Sequence, residues 1–126
     1  MKLILSLVFS FFILNQEFSY WKVNAIKNIE NESYIVIKND NNEFGLIVND
    51  NDSIIVDSSF SKLEVNKTYR FLLLDESRTF RGEQPQFYGV VTSDTTVVRI
   101  WDVKKDGPYP KLFKALNVKG VYIKEK

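Results

Sequence analysis

This chain of 126 residues has neither cysteine nor histidine. Without cysteine there are no disulfides, thiol nucleophiles or thiolate metal sites, so packing alone must hold the fold. Without histidine the chain lacks the commonest general base, the serine–histidine triads and every imidazole ligand. Carboxylate chemistry survives both absences, because 16 residues are Asp or Glu. Glycine and proline are scarce, at five and three. No low-complexity linker divides the chain, and no glycine-rich loop could cradle a phosphate. No cofactor is implied.

Long apolar runs are nearly absent too. One opens the chain, in MKLILSLVFSFFILNQEFSY: Lys2 gives a positive start, Leu3 to Leu14 is apolar apart from Ser6 and Ser10, and Asn15, Gln16 and Glu17 end it. That run is shorter than the roughly 20 residues a helix needs to cross a bilayer. A charged start, a short apolar core and a polar exit describe a secretory signal peptide. Val23-Asn24-Ala25 suits a small-residue cut but lies far from the apolar core, so a cut near Ser19 is favoured. The expected division is a signal peptide over 1–19 and a single β-barrel-like domain over 20–126. The product is expected to be exported, to the periplasm or beyond, with no membrane span in the mature chain.

Charge is balanced overall, 17 basic against 16 acidic residues, but unevenly placed. Between Asn28 and Asp57 the acids are Glu30, Glu32, Asp40, Glu43, Asp50, Asp52 and Asp57, against Lys38 alone. From Thr96 onward Arg99, Lys104, Lys105, Lys111, Lys114, Lys119, Lys124 and Lys126 outnumber Asp102, Asp106 and Glu125. Such poles can offer a basic patch to an anionic partner.

Short β-rich runs alternate with turn clusters. WKVNAI sets Trp21, Val23 and Ala25 on one face, EFGLIV does so with Phe44, Leu46 and Val48, and KTYRFLLL with Tyr69, Phe71 and Leu73. SYIVIK is apolar on both faces. SIIVD reads as a very short strand, QFYGVVT and TTVVRIW as a hairpin, and VKGVYIK as a final strand. Gly45, Gly89 and Gly120 inside these runs mark bulges, bends or close backbone approaches. DGPYPKLFKALN predicts a short helix, with Pro110 in its first turn and Leu112, Phe113 and Leu116 on one face. Many short strands with intervening turns argue for a mainly β, small single-domain barrel, with the short helix before the last strand.

FSKLEVNKTYRFLLL and KLFKALNVKGVYIKEK resemble segments of small exported bacterial proteins with an OB-like β-barrel pattern and no assigned activity. Lys67, Tyr69, Phe71 and Leu73 match the first segment, and Leu112, Phe113, Ala115, Asn117, Gly120, Tyr122 and Ile123 the second. The pattern's glycine before Lys67 is Asn66 here. The resemblance implies export and a barrel, and assigns no catalytic residue. It departs from an OB-fold in placing the helical segment before the last strand and not between the third and fourth.

Three chemistries compete for function. Asp40, Asn42, Glu43, Asp50, Asp52 and Asp57 are eligible oxygen ligands for calcium. Neither Asp40 nor Asp50 opens an EF-hand, because the fifth positions are Phe44 and Ile54. Asp and Asn clusters also build turns. Paired carboxylates could hydrolyse an envelope polysaccharide, which makes a small carboxylate-dependent hydrolase the alternative reading. The leading reading is a non-catalytic binding or interaction module, for instance an inhibitor of a secreted protein or an immunity factor against one. Its candidate ligand-binding residues are Arg78, Phe80 and Arg81 in the Asp75–Gln86 loop, and Arg99, Trp101, Tyr109 and Lys111 in an aromatic–basic run. The partner would be another exported protein or an anionic polymer.

Overall fold

Strand β1, Gln16–Ile29, serves two neighbours in succession. Its first half pairs antiparallel with β5, Thr68–Asp75, and its second half with β2, Glu32–Lys38. Lys22 is the hinge, opposite both Thr68 and Lys38. Just beyond it Asn24 is an extra residue, because Val23 opposes Ile37 while Ala25 opposes Val36. Such a bulge bends a strand and raises its twist, which closing a barrel requires. These features belong to a computed structural model that describes residues 16–51, 55–77 and 85–125.

The barrel is completed by β3, Phe44–Asp50, antiparallel to β2, and by β8, Lys111–Ala115, parallel to β3 and antiparallel to β5. The closed order β1-β2-β3-β8-β5 makes a five-stranded, mainly β barrel. A three-stranded sheet stands beside it: β4, Ser61–Lys62, pairs with β10, Tyr122–Ile123, which pairs with β9, Val118–Lys119. The excursion between β5 and β8 carries the hairpin β6, Phe87–Val91, and β7, Val97–Asp102, followed by one turn of helix, α1, Val103–Asp106. The helix precedes the last strands, as expected, but it lies upstream of the predicted segment.

That segment, KLFKA, is β8. Leu112 faces the hairpin while Phe113 faces the barrel interior, so both sides of the strand are covered. Adjacent apolar residues imitate a helical stripe when a strand is buried on both faces. Two other expectations also change. VKGVYIK is not one strand, because Gly120 turns with φ 56° between β9 and β10. Ile55 to Asp57 of SIIVD is irregular, with Ile55 exposed, while residues 52–54 lie outside the described residues.

The barrel interior follows from alternation. Trp21, Val23, Ile35, Ile37, Ile47, Phe71, Leu73 and Ala115 point inward and are buried. Leu63, Val118 and Ile123 of the small sheet and its approach join the same core. Each such aliphatic side chain stabilises by about 1.5–3 kcal/mol on burial. Gly45 shows why a glycine sits in a strand here. A Cβ there would stand 2.7 Å from the Phe113 ring, which fills the interior and meets Trp21 edge-on at 5.4 Å. Tyr69 is buried with its hydroxyl satisfied, accepting from Glu64 N at 2.8 Å. Asn66 takes φ 73°, a left-handed conformation that asparagine tolerates better than most residues and glycine adopts freely.

The Asp and Asn clusters are turns. Asn39 Oδ1 accepts from Asn41 N and Glu43 N, and Asn42 has φ 61° between β2 and β3. Asp57 Oδ1 accepts from Ser59 N and Ser59 Oγ. Among the described residues no cluster of three or more Asp or Glu could hold a metal. No described helix is long and apolar enough to cross a membrane.

Candidate functional site

The β6–β7 hairpin folds back on the barrel and covers the outer face of β2, β3 and β8. Tyr34, Val36, Leu46 and Leu112 from the barrel pack with Ile100, Trp101, Tyr88 and Val98 from the hairpin, forming a second core outside the first. This explains why SYIVIK is apolar on both faces: Ile35 and Ile37 fill the barrel, while Tyr34 and Val36 lie under the hairpin. Two polar contacts fasten the hairpin. Ser93 N at its tip donates to Glu30 Oε1 at 2.6 Å, and Lys27 Nζ donates to Arg99 O at 3.4 Å.

Trp101 is therefore not a stacking platform for a ligand. It is 3% exposed, its ring lies 4.9 Å from that of Phe44, and its Nε1 donates to Gly107 O at 3.1 Å. The reason is a second bulge. Tyr88 opposes Trp101 while Gly89 opposes Arg99, so Ile100 is an extra residue in β7. One inserted residue puts Arg99 and Trp101 on opposite faces, although their spacing in sequence predicts the same face.

Of the other sequence-predicted residues, Arg99 is exposed on the outer face of the hairpin. Tyr109 is half-buried, and burial followed by the neighbouring Tyr88 raises its pKa. Lys111 is exposed on β8, with its ammonium 3.6 Å from Glu43. Arg78, Phe80 and Arg81 lie outside the described residues.

What gathers around Arg99 is a small apolar face. Phe87, Val91 and Val97 point outward and are 40%, 66% and 54% exposed. The Arg99 guanidinium sits over the Phe87 ring, 4.3 Å from its centroid. Gly89 leaves room for that ring, since a Cβ there would stand 3.0 Å from it and 3.3 Å from Val97. Beside this face, a cleft of about 380 Å³ runs between the β1 bulge and α1, lined by Asn24, Lys27, Arg99, Asp102, Lys105 and Asp106. Asp102 caps α1, accepting from Lys104 N at 3.0 Å, and Asp106 accepts from Asp102 N at 2.9 Å. The sequence signal for the outer face was present but unused: QFYGVVT and TTVVRIW are apolar at successive positions, the mark of a hairpin with two apolar faces.

The shifted carboxylates do structural work. Asp57 is held low by Ser59, Asp94 by Thr92 and Thr96, and Glu43 by Asn39 and then Lys111. A glycosidic general acid needs the opposite shift.

The tyrosines of the second core give a pH dependence. Burial, followed by Glu32 and Tyr88, pushes Tyr34 up to about 12, and burial raises Tyr88. A raised phenol pKa favours the folded state while the phenol stays neutral. That stability is complete below the ordinary value of 10.0 and is lost as pH rises towards about 12. Urea unfolding at pH 9 and pH 11 is expected to show a clear loss at the higher pH. Tyr34→Phe is expected to flatten that loss, and an equal slope in the variant would contradict it.

No family model, curated protein or solved structure matches this chain.

Proposed function

We propose that this chain is an exported, non-catalytic interaction module that holds another exported protein on the outer face of its β6–β7 hairpin. The carrying observation is the apolar face of Phe87, Val91 and Val97 under Arg99, which no described residue covers. Aromatic and arginine side chains dominate the energetic centres of protein interfaces, and exposed apolar patches mark interaction sites. Among the described residues β6 and β7 pair only with each other, so each strand keeps an open edge to which a partner's strand can add. Exposed Lys27, Lys104 and Lys105 stand nearby and favour a partner with an acidic rim.

The hairpin also redirects recognition. OB-like barrels commonly bind oligonucleotides or oligosaccharides on the face of their second and third strands. Here that face is a packed core, and the segment that covers it offers its own back instead. The charged, apolar, then polar opening of the sequence supports export. If processing falls near Ser19, it removes Gln16–Ser19, which pair with Leu74–Phe71 of β5. A cut before Gln16 keeps β1 whole.

The test is affinity capture from the producing cell's envelope fraction or medium at low salt, comparing the native chain with Phe87→Ser/Val97→Ser and Arg99→Glu. A specific partner is expected with the native chain and should be weakened at least tenfold in both variants, about 1.4 kcal/mol. The variants should melt close to the native chain, since the changes are exposed. Equal capture by all three, or none by the native chain, would overturn the reading.

A further inference from the structure

A second concave surface lies on the outer side of the β1–β5 half of the barrel, away from the hairpin's apolar face. There β1 changes partners, and three outward side chains stand in one row across three strands: Thr68, Lys22 and Lys38. The loop of Asn39, Asp40 and Asn42 walls one side, and Tyr20 lies in the next row, 68% exposed. Together they line a polar groove of about 260 Å³. Opposite Tyr20, Arg70 lies across the Phe18 ring, 3.9 Å from its centroid.

The lysine pair is unusual for a structural sheet surface. Like charges directly opposite on paired strands are destabilising. Lys22 makes no hydrogen bond or ion pair with any described residue, and Lys38 makes only a contact over the Phe44 ring at 5.5 Å. The groove's one carboxylate, Asp40, forms no ion pair with either. An anion seated between the two ammonium groups would convert their repulsion into attraction.

We infer that this groove binds an acidic saccharide, with a uronate-type carboxylate between Lys22 and Lys38 and the sugar ring against Tyr20. The remaining lining favours a sugar over a bare anion. Asn39, Asn42 and Thr68 present amides and a hydroxyl suited to sugar hydroxyls, and an exposed aromatic face suits a pyranose ring. The groove is short and one-sided, which fits one or two sugar rings better than a nucleic-acid strand. This site shares no residue with the hairpin face, so either assignment can fail without the other.

Calorimetry on the full chain would use trigalacturonate as the probe, with maltotriose, inorganic phosphate, a tri-aspartate peptide and a short single-stranded DNA as comparisons. Trigalacturonate is expected to bind saturably and at least tenfold more tightly than each comparison, and more weakly as salt rises. Lys22→Gln/Lys38→Gln should lower that affinity at least tenfold while melting no lower than the native chain, because it removes a repulsion. Tyr20→Ala should weaken trigalacturonate severalfold. Failure of trigalacturonate to bind, or undiminished binding by the lysine variant, would overturn the site. Phosphate, tri-aspartate or DNA binding as tightly would overturn the saccharide assignment.

Discussion

Replacing Trp101 with alanine is expected to cost about 3–5 kcal/mol, as for other buried large aromatics. For a domain of this size that corresponds to a melting point lower by on the order of 15–30 °C. The side chain is the centre of the second core, and its loss leaves Phe44, Tyr34 and Leu46 facing a cavity. The defect should be local first. The hairpin is held by this core and by few polar contacts, so its amides should exchange hydrogen faster than those of the barrel. Exposure of the β2–β3 face should also raise binding of a hydrophobic dye. Trp101→Phe separates packing from hydrogen bonding: it keeps a ring but loses the bond from Nε1 to Gly107 O, a loss of about 1 kcal/mol. A Trp101→Ala variant that melts within a few degrees of the native chain would show that the hairpin does not depend on this anchor.

Trp101 also marks the boundary of what sequence reasoning could reach. The strands were legible because alternation reports which face is buried. Tyr69, Phe71 and Leu73 alternate cleanly with Thr68 and Arg70, and point into the barrel as expected. Asn39 and Asn42 were legible as turn formers for the same local reason. Bulges are different. An inserted residue at Asn24 or Ile100 leaves no mark in composition, yet it resets the phase of everything after it. The aromatic–basic run therefore led to the right hairpin and to Arg99, but placed Trp101 on the wrong face. The predicted helix over KLFKALN failed for a related reason. Its spacing is ambiguous locally, and only pairing with β3 on one side and β5 on the other decides for a strand.

The groove beside Lys22 was hidden by distance. Tyr20, Lys38 and Thr68 are far apart in sequence, and Lys22 and Lys38 meet because β1 exchanges β5 for β2 at that point. Nothing local in KVNAI or in VIKND signals that two lysines will face each other. The lone lysine of the acidic stretch, Lys38, is thus drawn into a basic row by topology. The same reasoning applies to Phe87: its exposure follows from the opposite face of the hairpin being committed to the barrel, which is a property of the whole fold.

Asn117→Ala is expected to destabilise the domain by about 2–4 kcal/mol, from three hydrogen bonds at roughly 1 kcal/mol each and the added cost of unpaired backbone groups. The reason lies in the pairing of β5. On its β8 side the strand is laddered only from Leu73 to Asp75. Before that point the Asn117 side chain stands in for a strand. Its Oδ1 accepts from Leu72 N at 2.9 Å, while its Nδ2 donates to Arg70 O at 2.9 Å and to Lys124 O at 3.0 Å. Its own carbonyl accepts from Lys124 N at 2.9 Å, so one residue ties β5 to the C-terminal segment. Both halves of the amide are needed, which gives a sharper variant. Asn117→Asp keeps the acceptor for Leu72 N but sets a carboxylate against two carbonyls. Near neutral pH it is expected to be at least as damaging as alanine. Below about pH 4 protonation restores one donor, so the deficit relative to native should shrink. Urea unfolding of the three proteins at pH 7 and pH 3.5 distinguishes these outcomes. An aspartate variant as stable as the native chain at pH 7 would show that the two donated bonds are dispensable and that water can replace them.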